Sequence, residues 1–178
     1  MNKKNFLHVL TVMMVAMLCV GFISCGGDDG ENTSGAIDSR ILGTWYSTVS
    51  EGWDYVDGIT VNHWRDKDEY TTINYNVVNG VDGVPTPYTS DKPEWQEITF
   101  SNDGTYYLIN EEGHGYKGTF TTPNNNKINL YYNGSLISSD SYIFNEEGQL
   151  VVTMDEYDDG ELESREIAYY NRGSYSKK

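Results

Sequence analysis

The sequence predicts an all-β fold: an antiparallel up-and-down meander closed into a barrel of about eight strands. Three observations carry this expectation. Tight-turn signals recur at Asn102-Asp103-Gly104, Asn133-Gly134, Glu147-Gly148 and Asp158-Asp159-Gly160. Asn-Gly and Asp-Gly supply the positive φ that short hairpins require. The runs between them alternate. Ile98 and Phe100 share one face while Glu97 and Thr99 take the other. Ile128, Leu130 and Tyr132 alternate with Lys127, Asn129 and Tyr131, and Leu150, Val152 and Met154 with Val151, Thr153 and Asp155. One apolar face and one wetter face is the pattern of an antiparallel sheet around a core. Finally, no segment after the N-terminus keeps a helical period.

The candidate strands lie at about 43–50, 53–64, 68–78, 94–101, 104–111, 115–122, 127–132, 135–144, 148–157 and 161–171. Ten candidates are one or two too many. Short hairpins make successive strands antiparallel neighbours, and a meander of that length closes because closure removes exposed edges. Before the first strand, Asp38 or Ser39 can cap one short helical turn running into Ile41-Leu42. Residues 79–93, from Asn79-Gly80 to Pro93, contain Pro85, Pro87 and Pro93 and little periodicity. They are expected as an irregular loop projecting from the barrel rim.

Residues 1–24 read as a signal peptide. Lys3 and Lys4 form a short positive region, and an apolar stretch runs from about Phe6 to Ile23. A membrane-spanning helix needs about 20 apolar residues, but this run ends in small residues around Ser24-Cys25-Gly26, as a processing site requires. Phe22-Ile23-Ser24-Cys25 resembles the lipobox of bacterial lipoproteins, with Phe22 where that family usually has Leu. The resemblance implies cleavage before Cys25, its lipidation, and slow release from the membrane. Residues 25–38 then form a flexible tether rich in Gly and Asp, and 39–178 form the barrel domain. Asp28, Asp29 and Glu31 directly behind Cys25 resemble the surface-export signal of some Gram-negative lineages. That implies an outer-membrane protein facing the cell surface.

Composition narrows the partners. The chain has 178 residues and a formal charge of −15; residues 1–24 carry two lysines and no acids, so the cleaved chain carries −17. That opposes nucleic acid and anionic lipid surfaces. Cys19 leaves with the signal peptide and Cys25 is lipidated, so neither a disulfide nor a thiol nucleophile is expected in the domain. Its 15 Tyr and 4 Trp suit half-buried sheets and also contacts with sugars or apolar ligands.

Ile41-Leu42-Gly43-Thr44-Trp45-Tyr46 opens the first strand. Gly43-x-Trp45 there resembles the lipocalin and lipocalin-like signature. With Ile98-Thr99-Phe100-Ser101-Asn102-Asp103-Gly104-Thr105-Tyr106, it is similar to the small lipocalin-like domains of bacterial surface lipoproteins over about residues 40–172. The resemblance implies that Gly43 turns the chain into the barrel, that Trp45 plugs its closed end, and that Arg165 or Arg172 packs on that Trp as a cation–π pair. The expected C-terminal helix and disulfide of classical lipocalins are absent from the sequence, so ligand residues do not carry over.

Catalysis is not expected. Past residue 24 the histidines are His63 and His114, no nucleophile-elbow pattern accompanies a Ser, and paired carboxylates among 27 acids are uninformative. No cofactor is expected. Asp155, Asp159 and Glu166 partly match a calcium-loop spacing that Tyr157 breaks, and the turn Asp158-Asp159-Gly160 alone explains the acids. The remaining binding candidates are Trp53, Trp64 and Trp95, with Trp95 out of phase with Ile98 and Phe100; the competing reading is packing under loops or at barrel ends. The leading expectation is a non-catalytic binding protein for a small hydrophobic or glycan ligand. The alternative is a structural or interaction subunit, or an inhibitor, acting through its outer surface. The sequence sets no oligomeric state.

Overall fold

The computed structural model describes residues 37–124 and 126–176, and these form an all-β domain. The segment expected to be a signal peptide, Cys25 and residues 26–36 lie outside the described residues. Twelve strands follow one another: β1 (Gly43–Val56), β2 (Ile59–Asp68), β3 (Thr71–Val78), β4 (Val81–Asp82), β5 (Thr86–Thr89), β6 (Gln96–Phe100), β7 (Thr105–Asn110), β8 (Gly115–Asn124), β9 (Lys127–Tyr132), β10 (Ser135–Phe144), β11 (Leu150–Asp158) and β12 (Glu161–Arg172). All pairings are antiparallel. β1 and β6–β12 close into an eight-stranded barrel, with β12 returning to β1. The fold class expected from the sequence is the one observed, and it is consistent with a lipocalin-like barrel.

The departure from a simple meander lies in β1. Its first half, Gly43–Ser47, pairs with β6, and its second half, Glu51–Val56, pairs with β2. A bulge at Thr48 separates the halves. It shifts the side-chain phase, so that Trp45 and Ser47 before it, and Ser50 and Gly52 after it, all face inward. β2 and β3 then leave the barrel as a flap. The strand expected at 53–64 is therefore corrected: it spans a hairpin that turns at Asp57-Gly58, where φ is +52° and +73°. Gly52, which looks like a strand break, lies inside β1. A Cβ there would come 2.5 Å from the Trp64 indole and 2.9 Å from the Arg165 carbonyl oxygen, so glycine permits the close approach.

The loop expected over 79–93 is also corrected. Asn79-Gly80 is a tight turn with φ of +52° and +74°, and β4 and β5 both fold back along β3. Pro85 and Pro87 sit in or beside β5, an edge strand, where a missing N–H is tolerated. Ser90 N–H and Glu94 N–H donate to the carbonyls of Tyr70 and Glu69, which returns the chain to β6. From β6 onward, the expected and observed strands agree within two residues.

The closed end is plugged by Trp45, 2 % exposed. Its Nε1–H donates to the Ile41 carbonyl at 2.7 Å. The Arg172 guanidinium stacks 4.7 Å from the Trp45 ring and donates to the carbonyls of Leu42 and Arg40 at 2.9 and 3.2 Å. Gly43, at φ +112°, turns the chain beside that guanidinium. Of the two arginines expected to pack on Trp45, Arg172 does so; Arg165 pairs with Asp155 instead. Ile41, Phe100, Phe120, Ile128, Tyr142 and Leu150 complete the plug.

The segment before β1 is part of this end. Ile37 packs against the core, so the domain begins before residue 39. Ile41 N–H and Leu42 N–H donate back to the carbonyls of Asp38 and Ser39, the short turn that the sequence predicts. Asp38 accepts from Arg40 and from the Tyr142 hydroxyl at 2.8 Å. The Arg40 hydrogen bond holds its carboxyl down at about 2.

Two stability changes are expected. Trp45→Ala removes the plug and costs about 3–5 kcal/mol, the range for large aromatic truncations in cores. Gly52→Ala forces a Cβ into the Trp64 ring and costs about 1–3 kcal/mol. Urea unfolding of both variants checks this, and a Gly52→Ala midpoint equal to wild type contradicts the close approach.

Candidate functional site

Strand register decides which side chains face the barrel interior. Across β1, β12 and β11 the inward residues are Ser47, Tyr170 and Leu150, then Ser50, Ala168 and Val152, then Gly52, Glu166 and Met154. On β10 they are Phe144, Tyr142, Asp140 and Ser138; on β9, Ile128, Leu130 and Tyr132. β8 contributes Phe120, Gly118 and Tyr116, β7 contributes Tyr106, Leu108 and Asn110, and β6 contributes Phe100, Ile98 and Gln96.

The interior therefore changes character along its length. Around Trp45 it is aromatic and aliphatic and fully buried. Beyond Tyr170 it is polar, and Gln96, Tyr116, Tyr132, Ser138, Asp140, Met154 and Glu166 are all half-buried. Interior-facing side chains that keep solvent exposure mark the end of the barrel that solvent reaches. Tyr170 stands at the boundary, 5 % exposed, with its hydroxyl donating to Gln96 Oε1.

Two carboxylates face this half. Burial pushes the Asp140 carboxyl up to about 6; the Ser138 hydroxyl, which donates to it, works against that, nearby Asp155 adds to it, and Lys127 opposes it. Among the described residues, no Lys or Arg is within ion-pair distance of Asp140. Glu166 enters from β12. Burial raises the Tyr170 phenol strongly, and the charges of Glu166 and Asp140 raise it further, so these three groups converge. Tyr106, 2 % exposed, has a hydroxyl with no hydrogen-bond partner among the described residues. Burial raises its phenol, and Tyr132 beside it raises it again. A buried polar group without a partner calls for an explanation, such as a water or a ligand.

The chain matches no protein-family model, no characterised protein and no solved structure.

The tryptophans singled out in the sequence do not meet. Trp53 lies on the outer face, stacked on His63 at 5.1 Å and 4°, with Tyr75 stacked on the far side of His63 at 5.2 Å. These rings stand side by side across β1, β2 and β3. His63 Nδ1 lies 2.8 Å from Asp82 Oδ2, which ties β4 to this row. Trp64 is on the inner face, buried over Gly52. Trp95 points away from Ile98 and Phe100, as its phase predicts. One of its faces is taken by Tyr175, at 4.8 Å and 16°. Tyr175 is fixed there by Glu97, which accepts from its N–H, and by Glu69, which accepts from its hydroxyl.

The three acids of the calcium spacing do not converge either. Asp155 takes two hydrogen bonds from Arg165, at 2.6 and 2.8 Å, on the outer face. Asp159 sits in the β11–β12 turn at φ +46°, and Glu166 faces the interior. No group of three or more His, Cys, Asp or Glu among the described residues is placed to hold a metal ion.

Asp140 is a site residue that the sequence reading missed, and Glu166 is named there only in the calcium spacing. A signal for them exists: Asp140 is in phase with Tyr142 and Phe144, and Glu166 with Ala168 and Tyr170. Each is an acid on a core-facing position.

The raised Asp140 carboxyl has a consequence for stability. The folded chain holds this proton more tightly than the unfolded chain, whose carboxyl titrates near 3.8. Asp140 therefore destabilises the fold as pH rises from about 4 to about 6. Asp140→Asn is expected to stabilise the protein at pH 7–8, by at most about 3 kcal/mol, and to have little effect below pH 4. Paired melts from pH 4 to pH 8 test this; a constant difference across that range contradicts the buried carboxyl.

Proposed function

We propose that this protein is a non-catalytic binding protein, carried on the outer membrane by a lipid on Cys25 and facing the cell surface, that holds a small ligand in the polar half of its barrel. The observation that supports this most is the graded interior. A sealed aromatic plug at one end gives way to half-buried polar and aromatic side chains at the other. Pockets that bind small molecules combine apolar walls with a few placed polar groups. Leu108, Leu130, Val152 and Met154 are partly buried walls next to the core, and Gln96, Ser138, Asp140 and Tyr106 are the polar groups. Such a lining suits an amphiphilic ligand, an apolar body with a polar head or a glycan with an apolar face. The outer tryptophans support a surface sugar platform less well, since Trp53 and Trp95 each have a ring face covered by the protein's own side chains.

Saturable one-to-one uptake of the neutral fluorophore N-phenyl-1-naphthylamine is expected, with displacement by octyl glucoside or by simple octyl amphiphiles. Ala168→Phe, which fills the interior below Glu166, should abolish uptake while the fold survives. A folded wild-type protein that takes up no fluorophore contradicts the interior site. Cys25→Ala should move the protein from the membrane fraction to the soluble fraction; retention in the membrane contradicts lipid anchoring.

A second reading is favoured by one surface. Val56, Ile59, Val61, Val78, Val81 and Val84 are 38–85 % exposed. They flank the turns at Asp57-Gly58 and Asn79-Gly80, and β2 pairs with β3 through Asn62 and Asn76, so both tips lie at one end of the flap. Aliphatic residues grouped on an acidic protein suit a protein partner. In that reading, Val78→Ser with Val81→Ser shrinks the native size of the detergent-extracted protein and leaves fluorophore uptake intact.

A further inference from the structure

Three hairpin tips stand abreast at the end of the sheet away from the Trp45 plug. β1 pairs at Asp54 with Ser164 of β12 on one side and with Asn62 of β2 on the other. Three residues further on, Asp57 comes level with Glu161, so the β1–β2 turn lies beside the β11–β12 turn at Asp159-Gly160. Asn62 in turn pairs with Asn76, which brings the β3–β4 turn at Asn79-Gly80 alongside.

The two flap tips end alike. Each carries an aliphatic cross-strand pair next to its turn, Val56 with Ile59 and Val78 with Val81, and all four side chains are more than half exposed. The rest of the flap fixes them there. His63 Nδ1 lies 2.8 Å from Asp82 Oδ2, and Gly83 N–H donates to the Asn76 carbonyl at 2.8 Å. A Cβ on Gly83 would come 2.8 Å from that oxygen. Glycine thus lets β4 fold back, and Val84 is left exposed beside the same tip. Apolar side chains already held in place are covered by a partner at little ordering cost.

The charge at these tips has one sign. Lys and Arg are absent from residues 53–64, 74–91 and 156–164, while Asp57, Asp158, Asp159, Glu161 and Glu163 are exposed there. Asp158 and Glu161 are direct cross-strand partners, an arrangement in which like charges destabilise a hairpin. Arg165, the first base along β12, is paired with Asp155. A cationic group over the tips relieves the repulsion between Asp158 and Glu161. A second copy of this chain or an anionic lipid surface adds to it.

We propose that the three tips form one docking surface for a basic amphipathic segment of a protein partner. Its aliphatic side chains lie on Val56, Ile59, Val78, Val81 and Val84, and its Lys or Arg side chains lie over the acids of the β11–β12 turn. This assignment rests on the reading of the aliphatic flap as a protein-docking surface, and it names the chemistry of what docks.

Residues 26–178, which include every described residue, serve as the lipid-free test protein. Fluorescence anisotropy with three labelled peptides separates the two contributions: an amphipathic Leu/Lys peptide, its Leu/Glu counterpart, and a Ser/Lys peptide with the charge of the first. The Leu/Lys peptide is expected to bind at least about tenfold more tightly than either of the others. Val78→Ser with Val81→Ser should weaken it about tenfold. Asp158→Asn with Asp159→Asn should weaken it several-fold, and added salt should shrink that difference. Glu146→Gln with Glu147→Gln, the same charge change in the turn at the sealed end, should leave it unchanged. A Leu/Glu peptide that binds as tightly as Leu/Lys, or equal effects of the two charge pairs, overturns the basic partner. So does a protein that melts normally and binds no Leu/Lys peptide. The docking surface itself is judged separately, by whether Val78→Ser with Val81→Ser shrinks the native size of the detergent-extracted protein. Flotation with phosphatidylcholine vesicles, or a dimer of the test protein, that the same valine variant abolishes puts a membrane or a second copy on the tips and overturns the assignment.

Discussion

The stacking of the Arg172 guanidinium on Trp45 is the contact on which the rest of this domain depends. It joins the first strand of the barrel to the last. Arg172 also donates to the carbonyls of Leu42 and Arg40, and Trp45 donates to that of Ile41. The approach to the barrel, its first turn and its final residues are thereby fixed at one point. The cysteines are Cys19 and Cys25 alone, so no disulfide can close the described domain. Closure along the β1–β12 seam rests on hydrogen bonds and on this plug. An indole buried against Phe144 and capped by a cation whose donors are used by backbone carbonyls leaves few polar groups unsatisfied at the sealed end.

Sealing one end shapes the other. β1 is long enough to serve two neighbours only because the bulge at Thr48 turns Ser50 and Gly52 inward after Trp45 and Ser47. β6 is short and ends at Gln96, and the flap of β2 and β3 takes over its place beside β1. The wall next to the flap is thus made of two layers of chain that diverge. Trp64 crosses Gly52 there, and Asp66 ties the flap to β1 by accepting from Ser50 N–H and hydroxyl and from the Thr72 hydroxyl. Tyr175 covers the outer side of the same junction through Trp95 and Glu69. Two aromatic residues that look available for ligands are in this way used to seal the seam between barrel and flap.

Much of the architecture was legible because hairpins announce themselves locally. Asn133-Gly134 and Asp159-Gly160 both adopt the paired positive φ that their residue types suggest, and strand alternation set which face was core. The N-terminal third misled for a physical reason. Gly52 resembles a turn glycine, but the feature that requires it, the Trp64 ring, comes from another strand. The surroundings of the ligand candidates were hidden for a similar reason. Whether a tryptophan face is free depends on residues far along the chain, as Tyr175 is for Trp95. Asp140 was hidden by its surroundings: Ser138-Ser139-Asp140-Ser141 reads as a polar, exposed run. Only its phase with Tyr142 and Phe144 places it inside. The cleavage and lipidation expected at Cys25 concern residues outside the described structure.

The Asp140 carboxyl is the point at which the barrel interior works against stability. Its proton affinity is raised because burial strips water from it, and Ser138 and Lys127 offset that only in part. An amide of the same shape would avoid that cost, and Ser138 could still donate to it. A residue that weakens the fold at neutral pH is the kind of local inconsistency that marks functional sites more often than structural ones. The sealed end makes that inconsistency tolerable. Trp45, Arg172 and the buried aromatic cluster hold the barrel closed from one side, so the opposite half can keep a desolvated charge.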